Sequence, residues 1–210
     1  MAQIIKFPAP PAKFGYTRVK KRARSAEDPN QLHLFPQQSA KILNLTPELS
    51  LFEQALLLDE REDAKAAELY QQAIARGDCV ADAHCNLGII QSKQGHTAKA
   101  FDSFTMSLEQ NPRHFEAHYN LGNMYFEVND YRLAQIHYEI ANEINPSFPN
   151  AYFNLALVRA LNKEFGAAAD ALTTYQSLVS AEEGRSADEL LKTLQKSVTV
   201  AKNSDSGSAG

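Results

Sequence analysis

Residues 81–148 read ADAHCNLGIIQSKQGHTAKAFDSFTMSLEQNPRH and then FEAHYNLGNMYFEVNDYRLAQIHYEIANEINPSF, two blocks of thirty-four residues with no gap. Superimposed, His84 falls on His118, Leu87 on Leu121 and Gly88 on Gly122. Ala100 falls on Ala134, Phe104 on Tyr138 and Pro112 on Pro146. A fixed period of this size decides the architecture, because each block is one supersecondary unit that buries its apolar face only against its neighbours.

Each block predicts two amphipathic helices, 81–94 and 97–110 in the first. Gly88 and Gly122 fall inside helices, where Gly costs about 1 kcal/mol relative to Ala. That cost implies close backbone approach by the partner helix, with Ala100 and Ala134 doing the same from the other side. Phe104 and Tyr138, one turn on, fill the wedge. Asn111-Pro112 and Asn145-Pro146 end the second helices, since the residue before Pro is pushed out of the helical region.

The spacing of Leu87-Gly88, Ala100, Phe104 and Pro112, repeated as Leu121-Gly122, Tyr125, Ala134, Tyr138 and Pro146, resembles the tetratricopeptide repeat family. His84 and His118 stand where the family has Trp, and Gln91 where it has Tyr. The resemblance implies an all-α solenoid of antiparallel helix pairs. Residues 47–80 read as a degenerate first repeat, 81–114 and 115–148 as the second and third, and 149–182 as the fourth. Ser186-Ala187-Asp188-Glu189 reads as a capping box opening a helix over 186–200 that covers the end of the stack. Thr46-Pro47 reads as the N-cap and first position of the opening helix. The expected domain is 46–201, followed by a flexible tail over 202–210.

Residues 1–45 read as a disordered, basic N-terminal arm, with Pro8, Pro10 and Pro11 close together and no sustained helical period. Residues 1–24 carry seven basic residues and no acid, so a chain of net charge −4 leaves −11 for the rest. Lys20, Lys21, Arg22 and Arg24 form its densest cluster. That pattern fits either a solvated arm or weak, salt-sensitive contact with phosphates or an acidic surface. Gln31, Leu32, Leu34 and Phe35, between Pro29 and Pro36, resemble the pentapeptide with which bacterial replication and repair proteins dock on the DNA sliding clamp. The competing reading packs Leu32, Leu34 and Phe35 onto the first repeat.

The resemblance also implies a concave groove lined by the first helix of each pair. The sixth positions of the blocks are Phe52, Asn86, Asn120 and Asn154. The three Asn resemble the asparagine row by which some family members hold an extended peptide backbone, since an amide both donates and accepts. The alternative is that they satisfy neighbouring backbone. Cys85, Ile89, Tyr119, Asn123, Phe126, Phe153 and Leu157 are further groove candidates, with Asp82 and Glu116 at the edge. The cations that a carboxylate-clamp groove needs are missing from the equivalent positions, which disfavours an anionic chaperone tail.

The six histidines and two cysteines show no zinc-site spacing, and Cys79 and Cys85 read as free thiols of a reducing cytosol. No phosphate loop or nucleophile elbow occurs. No apolar run approaches a membrane span. The sequence thus predicts a cytoplasmic, non-enzymatic scaffold, without cofactor or metal, that binds a protein or peptide in its groove. The alternative is a replication or repair accessory recruited through residues 31–35.

Overall fold

The computed structural model describes residues 15–20 and 49–206. Nine helices follow one another among them: α1 (Leu51–Glu60), α2 (Lys65–Ala75), α3 (Val80–Lys93), α4 (Thr97–Gln110), α5 (Phe115–Glu127), α6 (Tyr131–Ile144), α7 (Pro149–Leu161), α8 (Phe165–Leu178) and α9 (Ala181–Ser206). Each packs chiefly on its sequence neighbours, as expected of a solenoid. The helices of the two quoted blocks begin and end within two residues of the sequence expectation.

The turn inside each pair repeats with the period. Gly95, Asn129 and Lys163 all have positive φ, at 77°, 62° and 66°. After each, the next N–H reaches back five residues: His96 to the Gln91 carbonyl, Asp130 to Tyr125, Glu164 to Arg159. This is the left-handed helix stop that Gly accepts without strain and Asn tolerates. Lys163 occupies it against its preference. The turn between pairs uses another device. Asn111 and Asn145 leave the helix, and their side-chain oxygens accept from the N–H of Arg113 and Ser147 at 3.1 and 3.3 Å.

Inside a pair, the contact that excludes a side chain at the repeat glycines is an aromatic ring rather than the partner backbone. A Cβ on Gly88 would lie 2.9 Å from Phe104 Cε1, and one on Gly122 only 2.6 Å from Tyr138 Cε1. Ala100, Phe104, Ala134 and Tyr138 are fully buried.

The ends differ from the sequence expectation. Thr46 and Pro47 lie outside the described residues; the first described helix opens at Leu51 with Ser50 and Glu53 forming a reciprocal capping box. The last helix opens at Ala181, so Ser186–Glu189 lies within it and does not start it. Ser180 supplies a cap six residues earlier than the expected Ser186, its hydroxyl accepting from the Glu183 N–H at 3.3 Å. The helix runs on to Ser206, through much of the stretch expected to be a flexible tail. Its buried hydrophobic residues Ala187, Leu190 and Leu194 join the core of the fourth pair.

Candidate functional site: a concave groove that holds residues 15–20

Residues 15–20, which the composition assigned to the arm, lie in the groove formed by α1, α3 and α5. Asn86 and Asn120 occupy equivalent positions on α3 and α5. The Thr17 N–H donates to Asn120 Oδ1 at 2.8 Å, and Asn120 Nδ2 donates to the Thr17 carbonyl at 3.0 Å. The Val19 N–H donates to Asn86 Oδ1 at 3.0 Å, and Asn86 Nδ2 donates to the Val19 carbonyl at 3.2 Å. Each amide thus pairs with one whole residue, as a neighbouring strand would. Residues i and i+2 of an extended chain present their polar groups to the same side, about 6.6–6.8 Å apart. One repeat of the solenoid therefore matches two residues of the held segment. The segment runs from α5 toward α1, against the order of the repeats.

The third rung is not Asn154. Asn123, one turn beyond Asn120 on α5, donates from Nδ2 to the Gly15 carbonyl at 3.3 Å. Its Oδ1 accepts from the Tyr138 hydroxyl at 2.7 Å and from Asn154 Nδ2 at 3.1 Å. Asn154 is fully buried and also donates to the Tyr119 hydroxyl at 3.3 Å. It orients Asn123 instead of touching the segment.

Side chains of the segment are read as well. Tyr16 is half-buried, its ring parallel to that of Phe104 at 6.2 Å. Its hydroxyl accepts from Ser92 and donates toward Glu127 and Met124 Sδ at 3.2 Å. Burial, opposed by the Ser92 bond and reinforced by the Glu127 carboxylate, pushes the phenol up to about 12. Val19 is buried and belongs to the hydrophobic cluster that also holds Phe52, Tyr70, Ile89 and Met124. Arg18 places Nη2 2.7 Å from Asp59 Oδ1 and donates from Nη1 to the Asp59 carbonyl at 3.2 Å. Asp59 is buried, which raises its carboxyl, while Arg18 pulls the other way. The Tyr70 hydroxyl donates to Asp59 Oδ2 at 3.3 Å and accepts from Asn86 Nδ2 at 3.2 Å. A polar relay thus links Arg18 to the amide that holds Val19. Where the segment leaves the groove, Leu49, Leu56 and Leu57 line an open cavity of about 340 Å³ beside Val19 and Lys20.

Four amide bonds contribute about 2–6 kcal/mol net, and burying Val19 and part of Tyr16 about 3–4 kcal/mol. Ordering six residues of backbone costs about 6–12 kcal/mol. The association is therefore close to balance.

The remaining sequence candidates lie elsewhere. Tyr119 and Phe153 are core residues, Tyr119 among Phe115, Tyr138 and Phe148, and Phe153 on Tyr175. Cys85 is likewise fully buried. At this fifth position of their helices, Cys85, Tyr119 and Phe153 belong to the core of the stack. Phe126 is half-buried against Tyr131. Asp82 ties α3 to His114, the buried cap of α5, at 2.8 Å. Lys20 is exposed at the end of the held segment. Lys21, Arg22, Arg24 and the motif Gln31, Leu32, Leu34 and Phe35 lie outside the described residues. Sequence reading missed Ser92, Glu127, Asp59 and Tyr70 on the groove side, and Tyr16, Arg18 and Val19 on the other.

No helix among the described residues is long and apolar enough to cross a membrane. The fold defines an α-solenoid of helix pairs. Residues 103–136 match the model of the tetratricopeptide repeat family. The chain is similar to the MamA RS-1 ArsTM double mutant (19% identity, TM-score 0.56, 76% of this chain and 96% of that one). It is also similar to MamA 41-end from Desulfovibrio magneticus RS-1 (16% identity, TM-score 0.56, the same coverage). A third similar structure is the first tetratricopeptide domain of Spaghetti (RPAP3) bound to the HSP90 peptide SRMEEVD (19% identity, TM-score 0.52, 57% of this chain and 93% of that one). Comparison with curated proteins returns no match.

Proposed function

We propose that this protein is a non-enzymatic interaction scaffold whose concave groove binds an extended peptide by its backbone. The single observation that carries this reading is the pairing of Asn86 and Asn120 with both backbone groups of Val19 and Thr17. Side-chain amides set one repeat apart grip any sequence that is extended, and neighbouring pockets then choose among sequences. The similar RPAP3 domain is bound to a peptide, which fits this use of the fold. The ligand here differs in charge from that acidic peptide. Asp59 and Glu127 face the held segment and favour a basic one.

The test is a panel of labelled extended peptides titrated against the full chain and against its Asn86→Ala, Asn120→Ala variant. Binding to the first and at least tenfold weaker binding to the second is expected. Proline at a ligand position whose N–H meets Asn86 or Asn120 should abolish binding, because it removes the donor. Equal binding by the folded variant would refute the reading.

A further inference from the structure

Resting on that peptide-binding reading, we propose that residues 15–20 are the groove's resident ligand in cis. Its external partner is then a peptide of the same class, aromatic–any–basic–aliphatic, that must displace them.

The segment is held as a ligand is held. Val19 and the Tyr16 ring reach the core, and the polar contacts of the segment are chiefly to groove side chains: amides for the backbone of Gly15, Thr17 and Val19, Ser92 and Glu127 for the Tyr16 hydroxyl, Asp59 for Arg18. No helix or strand of its own precedes the first rung within the described residues. Twenty-eight residues of chain join Lys20 to Leu49, so the segment meets the groove intramolecularly and an external peptide competes with it against an effective concentration.

The recognised pattern follows from which positions are read. Tyr16, Arg18 and Val19 each meet a specific partner, whereas Thr17 is held through its backbone alone. The basic position is the most demanding. Asp59 is buried, and without a guanidinium or ammonium beside it the carboxylate is left with the Tyr70 hydroxyl and the more distant attraction of Lys93. Asn86 and Asn120 are buried under the segment and lose their backbone partners if the groove empties, Asn86 keeping the Tyr70 hydroxyl and Asn120 the Cys85 sulfur. An empty groove is therefore the disfavoured state, and exchange of one segment for another is the accessible one. The near balance of binding and ordering terms makes that exchange feasible for a partner of modest affinity.

The experiment titrates a fluorescein-labelled peptide FGYTRVKK, the sequence of residues 14–21, by anisotropy against two full-length proteins. One is the natural chain. The other carries Tyr16→Ala and Val19→Asp, which weaken the resident segment and leave the groove intact. The altered chain should bind at least tenfold tighter, and a peptide with Glu in place of Arg should not bind it. In the natural chain, excess peptide should raise the hydrogen-exchange rate of the Thr17 and Val19 amides. Equal affinity for both proteins overturns cis competition and leaves the groove reading standing. No peptide binding by a helical, folded altered chain overturns the groove reading itself. Loss of helical circular dichroism in the altered chain would mean that the segment is part of the fold. In that case the milder Arg18→Gln chain decides, since unchanged peptide affinity there also overturns the proposal. A natural chain that is dimeric, with a concentration-dependent apparent affinity, would place the segment in trans and overturn the cis form.

Discussion

Asn120 and Thr17 form a closed two-bond ring, side-chain amide against main-chain residue, across 103 positions of sequence. Both partners are short of alternatives: Asn120 is fully buried, and a groove residue has no second strand to pair with.

Asn120→Ala should leave the Thr17 N–H and carbonyl without their protein partner and cost about 1–3 kcal/mol of arm–groove association. The helices should persist, because the amide contacts the arm and the Cys85 sulfur and carries none of the packing of the pairs. Hydrogen exchange at Thr17 and Val19, compared with core amides of α5, reads this out. Loss of protection throughout α5 would make Asn120 a folding residue.

Gly122→Ala should destabilise more than Gly88→Ala. Both gain about 1 kcal/mol of helix propensity, and both force a Cβ against a fully buried ring. At Gly122 the clash is 2.6 Å, against 2.9 Å at Gly88. Overpacking of this kind costs about 1–3 kcal/mol. Urea melts of the two variants should rank in that order.

Phe104→Ala should cost about 3–5 kcal/mol, since a fully buried aromatic leaves a cavity that the helix pair cannot close. It also removes the ring on which Tyr16 lies, so the arm should lose protection as the melt shifts. Urea denaturation followed by helical circular dichroism measures the first effect.

Lys163→Gly should stabilise by about 0.5–1 kcal/mol. Lys163 holds φ at 66°, the position filled by Gly95 and Asn129 in the preceding repeats, and a residue with a Cβ is strained there. Gly loses more entropy on folding, which trims the gain. An unchanged or lower melting temperature would contradict this account.

Stability should fall as pH drops from about 6.5 toward about 4. His118 donates from Nε2 to the Pro112 carbonyl, so its Nδ1 accepts from His137 Nδ1–H at 3.0 Å. Burial, and then the neighbouring His118, lowers His137 to about 4; burial also lowers His118. A folded value below the unfolded one of about 6.5 means that the unfolded chain binds more protons in this window. The contribution is complete above the unfolded value and is lost as pH falls through the folded one. His137→Asn retains a donor without a titrating ring and should flatten the dependence. Asp59 and Glu127, both raised by burial, act in the opposite sense. The difference between natural chain and variant, followed in urea at several pH values, therefore isolates the pair.

The thirty-four-residue period was enough to determine the helix pairs and the packing of adjacent repeats, though not that the Phe104 and Tyr138 rings, rather than the partner backbone, fill the space at Gly88 and Gly122. Helix pairing and repeat packing are contacts within a repeat or between adjacent ones, so spacing along the chain specifies them. The period also placed Asn86 and Asn120 in one row. It could not separate the groove residues from those buried in the core of the stack, because a helix position rotates between the two over a single residue. Tyr119 and Phe153 therefore went to the core, and Asn123 took the rung that the repeat count assigns to Asn154. The occupant of the groove was beyond sequence altogether. Gly15 to Val19 has no periodicity and a composition like the rest of the arm. Only the curvature of the stacked pairs brings Asn86 and Asn120 to the two-residue spacing of an extended backbone, with Asp59 and Glu127 at the places where Arg18 and Tyr16 fall.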